Sequence, residues 1–252
     1  MEKLLELKNV SLTYQTPKDE ITAIKDLSFY CNKGDFLSII GPSGCGKTTV
    51  LSLIAGLISP TFGEISISGE NSGSGSKRRN LGYMLQKDEL FPWRTIEKNV
   101  HLPLEIKRAK TSATKKNAEN LLKKYGLYEF KNNYPDELSG GMRQRVALIR
   151  TLVSDPALLL LDEPFSALDY QTRLSVCDDV YRIIKSERKT AILVTHDISE
   201  AIAMSDVIVV LTARPAKVKS VFVPNIEGDC PIRKRESPEF SLWFEKIWKE
   251  LN

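Results

Sequence analysis

The stretch GPSGCGKT at residues 41–48 decides the fold of this chain. It fits the pattern G-x-x-x-x-G-K-[ST], follows the apolar run 36–40 and precedes apolar residues at helical spacing over 50–57. Glycines let the backbone curl so that N–H groups face phosphate oxygens, and the following helix N-terminus adds a favourable dipole. A chance match in a chain of 252 residues is roughly a one-in-a-hundred event. The sequence therefore predicts a strand buried on both faces, a phosphate-binding loop and a helix.

Side chains of this loop suit a nucleotide with its magnesium ion. Lys47 supplies a positive charge for the β- and γ-phosphates, and Thr48 supplies a hydroxyl ligand for Mg²⁺. No His or other base is placed to activate Cys45, so we interpret it as a residue whose backbone N–H matters. The predicted nucleotide-binding residues of the loop are Gly41, Pro42, Ser43, Gly44, Cys45, Gly46, Lys47, Thr48 and Thr49.

A second chemical element is LLLLDE at residues 158–163, an apolar strand that ends in two carboxylates. Ligands of α/β proteins bind at the carboxyl ends of strands. Asp162 suits Mg²⁺, directly or through water, and Glu163 suits a general base that polarises the attacking water. The alternative is a buried strand followed by a solvated acidic turn, and the nearby phosphate loop favours the catalytic interpretation.

Composition excludes several classes of protein. Lys and Arg number 36 and Asp and Glu 32, and this net charge of +4 gives no reason to expect nucleic-acid binding. The longest apolar runs are five residues (157–161 and 207–211), whereas a membrane span needs about 18–20. The first ten residues lack the apolar segment of a secretory signal. Four cysteines without CxxC spacing and only two histidines indicate a reduced, cytosolic protein without a metal cluster.

Apolar strands alternate with helical segments after residue 153. The runs 157–161, 191–195 and 207–211 are typical of buried strands, and this alternation predicts an α/β fold with a parallel sheet. Short strands are expected within the first thirty residues. A mostly helical insertion is expected over about 88–153. The polar, Gly/Ser-rich segment 70–80 is interpreted as a surface loop.

The features described so far fit any P-loop nucleotide-hydrolysing protein. The segment LSGGMRQ at residues 138–144 is more specific, because it resembles the LSGGQ signature of ABC ATPases with Met142 in place of the usual Gln. Ser139 and the backbone of Gly140 and Gly141 would begin a helix and form a second anion-binding turn. The alternative for this segment alone is a capped helix without a ligand.

Other segments resemble further motifs of this family, and the resemblance covers roughly residues 4–215. It implies the P-loop NTPase fold of the ABC ATPase core, an α/β fold that has a parallel sheet with an antiparallel β subdomain and a mostly helical inserted subdomain. Gln86 resembles the Q-loop glutamine, Asp169 lies in a D-loop-like SALD, His196 resembles the switch histidine and Tyr14 the aromatic residue that stacks on adenine. Their alternatives are a loop amide, a helix cap, a structural histidine and an ordinary strand aromatic. The resemblance implies catalytic roles for Glu163, His196 and Gln86. It implies Mg²⁺ ligands at Thr48, Gln86 and Asp162, and nucleotide contacts at Tyr14, Gln86, Ser139, Gly140, Gly141, Asp162, Asp169 and His196.

The family resemblance also implies partners. ABC ATPases work as head-to-tail pairs around two MgATP, so the implied cofactors are ATP and Mg²⁺ and the implied first partner is a second ATPase subunit. A single cassette of this size usually serves an importer, at the cytoplasmic face of the cell membrane. It is then a peripheral subunit on a membrane permease and acts indirectly with a solute-binding protein; no nucleic acid is expected. Residues 90–100, 195–201 and 210–215 resemble the nitrate/sulfonate/taurine importer subfamily.

Alternatives to the importer remain open at this point. A soluble ABC ATPase of translation or DNA repair usually has two cassettes or a long coiled coil, and neither is seen here. A non-catalytic nucleotide-binding module is disfavoured by Glu163 and His196. Phe91 and Trp93 would either grip a permease helix or pack inside the helical region.

The expected domain organisation is an ABC ATPase core over 1–87 and 154–215, a helical signature subdomain over 88–153, and a C-terminal tail over 216–252. The tail ends in an amphipathic helix that would dock on the parent domain or, alternatively, contact a membrane surface. Its apolar stripe comprises Phe240, Trp243, Phe244, Ile247, Trp248 and Leu251. Residues 101–133 hold eight Lys/Arg against three Glu, and this surplus would either favour the anionic inner leaflet or form a solvated face.

Overall fold

The structure is a computed structural model that describes residues 2–15, 19–71 and 80–251. The chain divides into two compact units, which are Met1–Arg79 together with Arg188–Asn252, and Asn80–Glu187. These limits differ from the domain limits predicted above, because compactness groups the strands that flank the insertion with its helices. The predicted domain organisation stays a prediction. The surface loop expected over 70–80 lies largely outside the described residues.

The helices and strands follow one another in this order: β1 (Lys3–Gln15), β2 (Glu20–Asn32), β3 (Phe36–Ile40), α1 (Lys47–Ala55), β4 (Phe62–Ile67), β5 (Glu70–Asn71), β6 (Leu81–Met84), α2 (Ile96–Ile106), α3 (Ser112–Lys124), α4 (Gly140–Leu152), β7 (Leu158–Asp162), α5 (Tyr170–Ser186), β8 (Thr190–Val194), α6 (Ile198–Met204), β9 (Val207–Leu211), β10 (Val218–Phe222), α7 (Pro231–Glu236) and α8 (Pro238–Leu251). Two short 3₁₀ turns, Tyr128–Phe130 and Pro135–Glu137, connect α3 to α4.

The antiparallel sheet of the first unit has the strand order β2-β1-β4-β5. The pairing of β1 with β2 shifts register at several places, including between Leu7 and Val10. Asn9 and Asp26 adopt positive φ angles of 48° and 51° in this pairing. The expectation of short strands was wrong here, because bulges interrupt the alternation of apolar residues without ending a strand.

Parallel strands form the other layer of the first unit. β3 pairs in parallel with β8 on one side and with β9 on the other, and β10 runs antiparallel along β9. All residues of β3 and β8 are buried, as their largely apolar sequences predict, and this includes the polar residues Ser38 and Thr190. Ala216 ties the two layers together, since its N–H donates to Ala23 O (2.9 Å) and its carbonyl accepts from Lys25 N (3.0 Å). Because β3 and β8 are neighbours and run in parallel, their carboxyl ends lie at one edge of the sheet, where the phosphate-binding loop begins.

The second unit combines a parallel strand pair with four helices. β6 pairs with β7 from Leu81↔Leu158 to Met84↔Leu161. Helix α4 packs so closely on this pair that a Cβ added to Gly82 would lie 2.5 Å from the Thr151 methyl group. Ser139 caps α4 by accepting a hydrogen bond from Met142 N (3.3 Å), as the sequence predicts.

Helix α8 docks on the first unit. Ile247 is fully buried in an apolar cluster with residues of α6, β3 and β9, and Phe240, Trp243, Phe244 and Leu251 pack around it. The prediction of a docked amphipathic helix is thus confirmed. The apolar stripe that was predicted to dock is too wide by one residue, because Trp248 is 54% exposed and stacks on Phe244. Among the helices that the structure describes, none combines the length and apolar composition of a membrane span.

The docking of α8 makes a prediction about stability. Ile247→Ala should lower the free energy of unfolding by about 2–5 kcal/mol, because it leaves a cavity in a fully buried cluster. Leu242→Ala is the matched control on the same helix, since Leu242 is 69% exposed and its loss should cost less than about 0.5 kcal/mol. Urea unfolding monitored by circular dichroism measures both variants. Equal values for the two would contradict the docked arrangement.

Candidate active site

The loop between β3 and α1 curls around the ammonium group of Lys47. Gly44 and Gly46 adopt positive φ angles of 72° and 115°, which side chains disfavour and glycine permits. Lys47 begins α1, and its buried Nζ donates to Gly41 O (2.9 Å) and Pro42 O (3.1 Å). The curl therefore holds a positive charge at a helix N-terminus, which is the arrangement that binds phosphate groups.

Close packing fixes the start of this loop. A Cβ added to Gly41 would lie 3.0 Å from Cys45 Sγ and 3.1 Å from Leu211 Cβ, so a larger residue would displace the turn. Burial raises the pKa of the Cys45 thiol, against the smaller opposing effect of the Lys47 charge. Cys45 is therefore a buried thiol rather than a thiolate nucleophile, in agreement with its interpretation from the sequence.

Tyr14 lines an open cavity of about 570 Å³ at the end of the β1–β2 hairpin. A Cβ added to Gly46 would lie 3.7 Å from Ala23 O, so the phosphate loop adjoins β2 close to this hairpin end. The exposed ring of Phe62 is a second aromatic group of the cavity, which the sequence did not single out. The cavity is lined by Thr13, Tyr14, Gln15, Glu20, Thr61 and Phe62.

His196 follows β8 at the same strand edge as the phosphate loop, because Ile39 of β3 lies opposite Val194. The flanking residues are held firmly while His196 itself is exposed. Thr195 Oγ1 donates to Glu200 Oε2 (2.6 Å) and accepts from Asp197 N (3.1 Å). Thr195 and Glu200 are both buried. This pair positions the backbone on either side of His196.

Asp162 and Glu163 end β7 in the second unit. Asp162 is buried, and its Oδ2 accepts a hydrogen bond from the Tyr83 hydroxyl (3.2 Å). Glu163 has a positive φ of 44°, and its carbonyl accepts from both N (3.2 Å) and Oγ (3.0 Å) of Ser166. Such backbone strain is retained where the surrounding contacts enforce it, and it concentrates at functional sites.

Gln86 and Glu163 are both hydrogen bonded to Ser166. It follows β6, and its Nε2 donates to Ser166 Oγ (3.1 Å). Since Met84 lies opposite Leu161, the carboxyl ends of β6 and β7 bring Gln86, Asp162 and Glu163 to one edge. Ser166 is thus the link between two predicted site residues.

The glycine-rich start of α4 is tightly packed. A Cβ on Gly140 would lie 3.2 Å from Leu168 Cδ2, and one on Gly141 would lie 2.9 Å from Val176 Cγ2. Asp169 caps α5 by accepting from Thr172 N (3.1 Å), and the Thr172 hydrogen bonds lower the pKa of this carboxyl. Ser139 and Asp169 therefore both serve as helix caps, and their nucleotide roles stay predictions.

Besides Phe62, the sequence assigned no site role to Tyr83, Ser166 or Glu200, although Ser166 lies in the D-loop-like SALD. The sequence feature that came nearest to indicating a site role was the position of Tyr83 in the strand β6, which ends shortly before Gln86. Glu200 is the third residue of α6, but its burial cannot be read from residue type, because an isolated glutamate is usually exposed.

Comparisons with known proteins agree with this geometry. A family model described as ABC transporter matches residues 24–166. The "Uncharacterized ABC transporter ATP-binding protein YtlC" of Bacillus subtilis is 51% identical, over 98% of this chain and 95% of that protein. The "Aliphatic sulfonates import ATP-binding protein SsuB" of Bacillus cereus is 38% identical, over 98% of this chain and 94% of that protein.

A solved structure is similar in fold. It is described as "Dimeric structure of a post-hydrolysis state of the ATP-binding cassette MJ0796 bound to ADP and Pi", with a TM-score of 0.74 and 32% identity. The similarity covers 88% of this chain and 99% of that one.

An α/β chain with a curled phosphate loop, a carboxylate pair after a buried strand and a capped glycine-rich helix is a P-loop nucleotide-binding protein. The family model spans more than half of the chain and the relatives span nearly all of it, so the chain belongs to the ABC transporter family. It is an ATPase of that family. The fold predicted from the sequence, with parallel strands, an antiparallel sheet and a helical region, is confirmed.

The phosphate loop generates a prediction about nucleotide affinity. Gly44→Ala should weaken ATP binding at least tenfold, because its φ of 72° would strain a side chain and distort the N–H groups of the curl. Gly34→Ala is the matched control, since Gly34 has a φ of 88° and equally open surroundings but lies in the turn before β3. Both variants should lose about 1 kcal/mol of stability. Titration with a fluorescent ATP analogue measures affinity; equal weakening in both would contradict the assigned role.

Proposed function

We propose that this chain is the ATP-hydrolysing subunit of an ABC importer that takes up a small solute, of the nitrate, sulfonate or taurine type, through a separate permease. The observation that carries the proposal is the nearly full-length similarity to an import ATP-binding protein. That relative is named as an importer subunit for aliphatic sulfonates, and this supports a solute of the nitrate, sulfonate or taurine type.

The loop residues 41–49 would bind the phosphates of ATP through their N–H groups and the Lys47 ammonium. The donor set fits Mg²⁺, because the hydroxyl of Thr48, the amide oxygen of Gln86 and the buried carboxylate of Asp162 are the hard oxygen ligands that this ion prefers. When bound, Mg²⁺ would neutralise charge on the β- and γ-phosphates. Tyr14 would stack on the adenine at the hairpin cavity.

Glu163 would act as the general base. Its carboxylate would take a proton from a water molecule whose oxygen attacks the γ-phosphorus, while the bond to the ADP oxygen breaks. The strained backbone at Glu163, held by Ser166, supports a fixed position for this carboxylate. His196 would contact the γ-phosphate from the edge that it shares with the phosphate loop, and Gln86 would help to position the water and the ion.

A second copy of the chain would complete each site. Ser139, Gly140, Gly141 and Asp169 of one copy would close on the phosphate loop of the other. The dimeric arrangement named for the similar cassette supports this pairing. The capped N-terminus of α4 supports it as well, since free N–H groups at a helix start attract a phosphate group. Hydrolysis would remove the γ-phosphate contacts, so that the pair opens.

The permease would bind near Trp93, at the cytoplasmic face of the membrane. This indole is 72% exposed and stacks on Phe91 with 5.0 Å between ring centroids. Buried Asn99 fixes the segment, because its amide donates to Phe91 O, Arg94 O and Thr95 O at 3.0–3.1 Å. An exposed indole that is backed by a half-buried aromatic ring in a fixed segment is typical of an interface anchor. The solute-binding protein would act on the permease and not on this chain.

Glu163→Gln tests the catalytic part of the proposal. We expect unchanged ATP affinity and a loss of turnover of at least 100-fold, since the general base is removed while size is preserved. Glu129→Gln makes the same chemical change at an exposed site of the second unit and should leave turnover intact. Phosphate release and ATP binding are measured on both variants. Normal hydrolysis by Glu163→Gln would refute the assignment of the base.

Recovery with a permease tests the importer part. We expect the tagged chain, expressed with a permease and a solute-binding protein of the nitrate, sulfonate or taurine type from the same genome, to co-purify with the permease in detergent and to hydrolyse ATP faster in its presence. Trp93→Ala should lose this recovery, whereas Trp248→Ala removes another exposed indole and should retain it. ATP-dependent recovery of ribosomes or DNA instead would favour a soluble ABC ATPase.

A further inference from the structure

A run of positive charge without acidic residues joins α2 to α3. Residues 106–118 contain Lys107, Arg108, Lys110, Lys115 and Lys116, and no Asp or Glu. We refer to these five side chains as the basic surface. All five are exposed. The whole chain has 36 Lys and Arg in 252 residues, which would place about two in a segment of this length, so the basic residues are locally concentrated.

The backbone that presents the basic surface is fixed by hydrogen bonds. Lys107 N donates to Pro103 O (3.0 Å), and Ala109 N donates to Leu104 O (2.8 Å). Arg108 turns the chain with a φ of 53°. Thr111 and Thr114 then form a capping box at the start of α3. The backbone that carries these cations is therefore fixed by hydrogen bonds over both parts of the segment.

The nearby acidic group does not neutralise the basic surface. Glu105 is shared between Lys110 (3.1 Å) and Arg94 (2.6 Å), so one negative charge serves two positive ones. Within the parts of the chain that the structure describes, neither Lys115 nor Lys116 has an acidic partner. Burial lowers the pKa of His101, and the charges of Lys110 and Lys115 lower it further against the effect of Glu97 and Glu105. Both lysines thus act on the same face of α2.

Apolar side chains accompany these cations. Ile106 is 67% exposed and directly precedes Lys107. The ion pair of Glu105 with Arg94 also brings the segment of Trp93 next to the basic surface. Cations beside an exposed aliphatic side chain are a combination found where proteins meet lipid headgroups. Because Trp93 is the proposed permease contact, Ile106 is the apolar group that remains to face lipid.

We propose that the basic surface, together with Ile106, binds the anionic headgroups of a lipid bilayer. The proposal rests on the proposed function, which brings the chain to the cytoplasmic face of a membrane. Anionic lipids there attract basic residues within about a Debye length of the surface. Ile106 distinguishes this partner from a nucleic acid or an acidic protein loop, because an aliphatic side chain adds affinity only where apolar groups can receive it.

Vesicle sedimentation of the full chain tests the proposal without a permease. We expect binding to phosphatidylcholine vesicles that contain about one third phosphatidylglycerol, weakened by added salt, and little binding to phosphatidylcholine alone. Each cation removed should lower the partition coefficient about fivefold, so Lys115→Gln/Lys116→Gln should lower it roughly 25-fold. Lys246→Gln/Lys249→Gln is the matched control, because it removes the same charge from exposed positions of α8 and should have little effect.

Ile106→Ser provides the second variant, since it changes no charge. It should lower the partition coefficient on the order of tenfold by removing an apolar group from the interface. Thermal unfolding of each variant verifies that it is folded. Absence of binding to the anionic vesicles would overturn the proposal, and so would equal losses of binding in the α8 control. The proposal would also be overturned if Ile106→Ser left the partition coefficient unchanged and this variant bound heparin as tightly as it binds the vesicles.

ATP hydrolysis measured on the same samples separates the two proposals. A wild-type chain that hydrolyses ATP but ignores the vesicles overturns lipid binding alone. A chain that binds the vesicles as expected but hydrolyses no ATP supports lipid binding and counts against the proposed catalytic function.

Discussion

The buried ammonium of Lys47 is the constraint on which the nucleotide site depends. Two backbone carbonyls, of Gly41 and Pro42, accept its hydrogen bonds. Carbonyl dipoles compensate a buried charge only in part, and the desolvation of an ion costs several kcal/mol. The loop therefore gains free energy when an anion enters, and the N–H groups at the start of α1 face the same direction. The positive φ angles of Gly44 and Gly46 are the geometric condition for this arrangement.

Parallel strand pairing delivers the remaining chemistry to the strand ends. In the first unit, β3 and β8 end side by side, so that the phosphate loop and His196 share an edge although about 150 residues separate them. In the second unit, β6 and β7 do the same for Gln86 and Asp162. Hydrogen bonds then fix the positions of these residues. Ser166 links Gln86 to Glu163, and Glu200 holds Thr195, the residue before His196.

Local features of this fold were readable from the sequence. The buried strands, the phosphate loop and the cap at Ser139 depend on short segments whose pattern carries their structure. Contacts between distant residues were not readable. The hydrogen bond from Tyr83 to Asp162 requires the register of β6 against β7, which neither segment encodes alone. The strained φ of Glu163 likewise results from its surroundings. Trp248 shows the limit of helical periodicity, because the stripe on α8 is wider than the surface that receives it.

The second unit also joins the proposed nucleotide contacts to the proposed permease contact. Arg143 Nε donates to Asp88 Oδ2 (3.0 Å), and Arg150 donates to the carbonyls of Asp88 and Glu89 (both 2.6 Å). Both arginines belong to α4, which begins at the signature segment, whereas Asp88 and Glu89 lie two and three residues after Gln86. A displacement of the segment after Gln86 must therefore either move α4 or break charge-assisted hydrogen bonds, each of which contributes about 1.5–3 kcal/mol. Because the same segment continues to Trp93, force applied at that exposed indole reaches Gln86 and Ser139 through one connected set of contacts.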